Sequence, residues 1–149
     1  MTLSEQDWHI RLYIYQHFVE HTLPPTVVET AEHFDIGADE CRTVYQRLHD
    51  HHALYLQPGT ATIRMANPLS AVKTDYRVYI RGHWLYANCA WDSLGIPAML
   101  GDDALIEARL PLSSDIVRYE IVNRELIAPP AYVHFPLPFA RWYDDLVDT

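Results

Sequence analysis

The chain has 149 residues and a formal net charge of −9, with 49% of its residues hydrophobic and 21% charged. This is the composition of an ordinary globular protein rather than a disordered one, and the acidic excess disfavours polyanions and favours a cationic or neutral ligand. No apolar run approaches the roughly 18 residues a membrane span needs, and the opening Met-Thr-Leu-Ser-Glu-Gln-Asp lacks the regions of a secretory signal, so the expected compartment is the cytoplasm.

The spacing predicts a helix over about 4–22, opened by a capping pattern from Ser4 to Asp7. Trp8, Leu12, Tyr15 and Val19 recur at helical intervals, joined by Ile14 and Phe18. Leu23-Pro24-Pro25 ends it. Thr26 and Glu29 form a second capping signature before a short helix with Val27, Ala31 and Phe34 inward, and a third helix over about 38–49 aligns Cys41, Val44, Tyr45 and Leu48. Leu54-Tyr55-Leu56 and Thr62–Met65 then read as a hairpin around Pro58-Gly59.

Three helices and a hairpin outline a winged-helix-like module over residues 1–66. Four basic side chains stand against nine acidic ones there, a net of −5, and the third helix opens with Asp39-Glu40. A helix presented to phosphates needs a basic face, so a structural or dimerising role is expected and nucleic acid is not an expected partner.

Residues 67–149 form a second, sheet-bearing module, with Asn67–Asp75 as connector. Tyr76–Ile80, the turn Arg81-Gly82 and Trp84–Tyr86 make a tight hairpin that leads into the segment from Cys89 to Gly101. Ala104–Leu110, Ile116–Ile127 and Ala131–Phe135 read as strands. Phe139–Val147 reads as a short amphipathic helix with Phe139, Trp142, Tyr143 and Leu146 on one side. The fold class is therefore α+β: the helical module together with a small mixed or antiparallel sheet and a short helix carrying the candidate site.

That short helix holds the chemistry. Cys89 and Asp92, three residues apart, share one helix face, and with Asn88 as N-cap the thiol falls in the first turn. Unpaired backbone N–H groups and the helix dipole favour an anion there, so a lowered thiol pKa and a thiolate able to bind a soft electrophile are expected, with Asp92 holding or delivering a proton. The bland alternative is a half-buried thiol packing the helix start beside a carboxylate that suits the dipole. Cys41, on the apolar stripe of the third helix, reads as a small core residue. His17 and His21, and the His49, His51, His52 group, lack further ligands and read as solvated or capping.

Tyr86, Cys89, Ala90, Asp92, Leu94, Pro97, Ala98, Leu100 and Gly101 resemble the first active-site segment of the alkylmercury lyases, which cleave carbon–mercury bonds. The resemblance implies that Cys89 binds mercury and that Asp92 protonates the departing carbon. It also implies a second thiol just before a strand resembling Tyr132-Val133-His134-Phe135, where this sequence has Pro129, Pro130 and Ala131. Trp91, Tyr86 and His134 are the expected pocket residues. No cofactor is implied; the expected partners are a small-molecule substrate or soft metal ion and external thiols, without a membrane, and the oligomeric state is open. The competing readings are a non-catalytic thiol-based binding or sensing protein, a lyase acting on a non-mercurial substrate, and a winged-helix regulator.

Overall fold

The computed structural model describes residues 2–144 and divides into two compact units, one ending at Lys73 and the other beginning at Thr74. In the first unit, α1 (Glu5–His21) starts on a capping box: Ser4 Oγ accepts from the Asp7 amide at 3.2 Å and Asp7 Oδ2 accepts from the Ser4 amide at 2.8 Å. α2 (Val27–Phe34) starts on the same device, with Thr26 and Glu29 in the two roles. α3 (Ala38–Asp50) buries Cys41, Val44, Tyr45 and Leu48, the stripe its periodicity predicts. Tyr45 carries its hydroxyl into this core because Thr30 Oγ1 meets it at 2.6 Å, satisfying a polar group that burial would otherwise penalise.

The inward face of α1 differs from expectation. Trp8 and Leu12 are exposed, whereas Asp7, Ile10, Ile14 and Phe18 are buried. The stripe is helical in spacing, but it begins with a carboxylate. Asp7 is tolerated there because Arg47 of α3 reaches its Oδ1 at 2.6 Å, so an apolarity count passes over the position that sets the face.

β1 (Tyr55–Leu56), β2 (Ile63–Ala66) and β3 (Leu69–Ser70) follow, each antiparallel to the next. β3 lies inside the segment expected to be a connector.

The second unit contains a five-stranded antiparallel ladder in the order β5 (His83–Ala87), β4 (Tyr76–Ile80), β6 (Ala104–Arg109), β7 (Ile116–Val122) and β8 (Glu125–Ile127). β4 and β5 are joined by Arg81-Gly82, both with positive φ, the two-residue turn whose twist suits a hairpin. Strand alternation sends Val78, Ile80, Leu85 and Ile106 to one face, and α4 (Ala90–Leu100) packs against β4, β5 and β6 with Ile96 fully buried. On the other face Arg77, Glu107 and Arg118 stand abreast in register. Their guanidinium groups reach the Glu107 carboxylate at 2.7 and 2.9 Å and, although burial opposes it, hold its pKa below the ordinary carboxylate value.

Two strand expectations are corrected. The stretch Ile116–Ile127 is two strands, because Asn123 and Arg124 both adopt positive φ and turn the chain back on itself. Ala131–Phe135 forms no strand: it is exposed irregular chain between Pro129-Pro130 and Pro136, where the prolines withhold ladder donors. The closing helix is a 3-10 helix over Phe139–Asp144, and Leu146 lies outside the described residues. Among the described residues no helix is long and apolar enough to cross a membrane.

Candidate active site

The site is built where β5 hands over to α4. Thr74 Oγ1 donates to the Ala87 carbonyl at 2.6 Å and so ties the start of β4 to the end of β5. Cys89 then takes extended backbone angles, φ −146° and ψ −179°, and is itself the N-cap of α4. This corrects the expected placement by one residue, since Asn88 precedes the cap. Asp92 consequently occupies the third helical position, where Asp7 and Glu29 stand in their capping boxes. The opening of α4 thus has the plan of a capping box in which a thiol replaces the hydroxyl.

Sulfur does not complete the box. Cys89 makes no side-chain capping bond; the amides of Trp91 and Asp92 face the sulfur and favour its anion only electrostatically. The thiol and the Asp92 carboxyl, three residues apart at the helix start, instead act on each other's ionisation. Burial first, and the Asp92 charge second, raise the Cys89 pKa above its ordinary value, which corrects the expectation of a lowered one. Burial raises Asp92 from 3.8 to about 6, against the smaller opposing influence of the neighbouring Cys89 thiol. The pair at neutral pH is therefore a thiol beside a carboxylate able to take its proton.

The sulfur opens onto a cavity of about 710 Å³ within the second unit. Tyr76, Ala108 and Tyr119 line it from the sheet, Trp91 and Leu94 from α4, and Pro129 to Pro136 from the irregular segment. Of the three pocket residues expected, Trp91 and His134 line this cavity and Tyr86 does not. Tyr86 alternates with the buried Leu85 and Ala87, so it points to the opposite sheet face, into a hollow of about 180 Å³ beside Arg77 and Glu107.

Tyr76 and Tyr119 escaped the sequence reading, although alternation along β4 places Tyr76 on the same face as Val78 and Ile80. Tyr76 is half-buried; burial, then the neighbouring Cys89, raise its pKa. Cys41 is a buried core thiol, pushed up to about 11 chiefly by burial. Among the described residues no group of three or more histidine, cysteine or acidic side chains is gathered to hold a metal ion.

A family model described as alkylmercury lyase matches residues 69–147, just over half of the sequence. The chain belongs to the alkylmercury lyase family. It is similar in fold to the crystal structure of the mercury-bound form of MerB2, with a TM-score of 0.68 and 19% sequence identity, covering 85% of this chain and 60% of that one. The chain therefore spans about 60% of the length of that structural neighbour. No curated protein matches the sequence.

Proposed function

We propose that this alkylmercury lyase family member cleaves a carbon–mercury bond by protonolysis, with Cys89 as the mercury-binding group and Asp92 as the proton carrier. The observation that carries the reading is a thiol lining the cavity with a half-buried carboxyl three residues on in the same helix start, raised by burial to about 6. A raised thiol pKa is no obstacle if the proton has somewhere to go. As the Cys89 sulfur bonds to the mercury of an organomercurial, displacing its weakly held counter-ligand, the thiol proton passes to Asp92. Asp92 then delivers that proton to the carbon, the carbon–mercury bonding pair becomes the carbon–hydrogen bond, and mercury stays divalent on the sulfur. Neither step changes an oxidation state.

Among the described residues Cys89 is the one thiol lining the cavity, and its far wall offers Pro129, Pro130 and Ala131. An external thiol accordingly supplies the second mercury ligand and carries the ion away. That same wall favours a second reading, a thiol-based binding or sensing protein that forms the Cys89 adduct without releasing hydrocarbon.

Incubation with an arylmercury compound and excess small thiol separates the two. The lyase reading expects free arene in multiple equivalents, absent from the Cys89→Ala variant. Arene no greater than in that variant, with a stable adduct on Cys89, would leave the binding reading.

A further inference from the structure

Trp91 sits in the first turn of α4, two residues from Cys89, and is 54% exposed although it borders an apolar cavity. Its ring meets Phe135 edge-on, with centroids 6.1 Å apart and planes at 63°. Phe135 in turn stacks on Trp142 at 5.3 Å, and the Trp142 indole N–H donates to the Leu137 carbonyl at 3.0 Å. The aromatic row is thus anchored at one end and open at the other. Tyr76 and Tyr119 present two further rings from the sheet.

We propose that the Trp91–Phe135 pair makes the cavity selective for a ring-bearing organic group. This rests on the proposed lyase reading for the identity of the substrate but not for the binding itself. Aromatic rings prefer edge-on or offset contacts with other rings, and such contacts add to area burial; a methyl group makes none of them. A cavity of about 710 Å³ is also far larger than a methyl group fills, so the smallest alkyl compound leaves most of the wall unoccupied. An arylmercury compound is accordingly the favoured substrate over methylmercury.

Two measurements on the full chain test this. In the first, naphthalene alone, without mercury, is titrated into wild type, Trp91→Leu and Trp91→Ala while side-chain NMR signals of the cavity are followed. Saturable binding to wild type, weakened about threefold to tenfold in both variants, is the expected result. Leucine keeps apolar bulk and removes the ring, and unchanged amide spectra away from α4 establish that each variant is folded. The second compares kcat/KM for phenylmercury and methylmercury: the aryl-to-methyl ratio exceeds ten in wild type and falls at least threefold in Trp91→Leu. Absence of naphthalene binding, equal binding by Trp91→Leu, or an unchanged ratio overturns the inference. Trp91-dependent naphthalene binding without any arene release upholds it and removes the lyase reading instead.

Discussion

α1 and α4 open on the same plan and finish with opposite chemistry. At each helix start a small polar cap residue is followed three positions later by a buried or half-buried aspartate, Ser4 with Asp7 and Cys89 with Asp92. Around Asp7 burial works against the charge, but Arg47 and the Ser4 hydrogen bonds prevail, so the carboxyl is held below its ordinary value. Around Asp92 burial acts with no arginine to oppose it, and the cap is a thiol that cannot close the box. One aspartate is an anion at neutral pH that fixes two helices together. The other is a carboxyl whose proton is easily moved, and the difference lies in the partner rather than in the helix.

The largest effect expected from disturbing this contrast comes from Cys89→Ser. The substitution restores the hydroxyl of a capping box, so arene release falls to the uncatalysed level while thermal unfolding shows a gain of about 1 kcal/mol. Cleavage without loss of activity in that variant would remove the sulfur from the mechanism. Asp92→Asn keeps the shape and removes the proton carrier; single-turnover arene release slows by about 10² to 10⁴, while mass spectrometry still finds the organomercury adduct on Cys89.

The proposed activity is expected to follow the charge of Asp92. Acidification through about 6 protonates the carboxylate before it can accept the thiol proton. The rate of adduct formation therefore drops below that pH, which rapid-mixing kinetics across pH 5–8 measures, as a rough span around the expected midpoint.

Stability responds in opposite directions at the two aspartates. The folded-state pKa of Asp92 is raised, so its stabilising neutral form is fully present below the ordinary value of 3.8 and lost as pH climbs through about 6. Asp92→Asn is then more stable than wild type at pH 8 by about 1–3 kcal/mol, a gap that closes near pH 4. The folded-state pKa of Asp7 is lowered, so its contribution is present above 3.8 and lost as pH falls through the folded value. Asp7→Asn costs about 1–3 kcal/mol at neutral pH. Chemical denaturation at the two pH values resolves both signs.

The smallest effect belongs to the cap alone, with Ser4→Ala costing about 1 kcal/mol.

The sequence revealed the helices of the first unit because their signals are local: capping boxes at Ser4 and Thr26, and a clean stripe on α3. It also put Cys89 and Asp92 together at one helix start, since three residues along one helix fix their relation. What it missed depends on distant partners. The burial of Asp7 required Arg47, forty residues away, and the raised thiol pKa required the depth at which α4 lies on the sheet. Tyr86 was misassigned because its neighbourhood in sequence is not its neighbourhood across a pleated strand. The run Ala131–Phe135 has strand-like residues, yet its flanking prolines keep it out of the sheet, and it forms a cavity wall instead.

The central claim is that one proton moves from the Cys89 sulfur to Asp92 and on to carbon. Mixing wild type and Asp92→Asn with one equivalent of arylmercury compound, and weighing the intact chains while assaying hydrocarbon, follows that proton directly. The account predicts one arene per wild-type chain with bare mercury left on Cys89, and an intact aryl-mercury adduct without arene on Asp92→Asn. Equal arene from both proteins would contradict it.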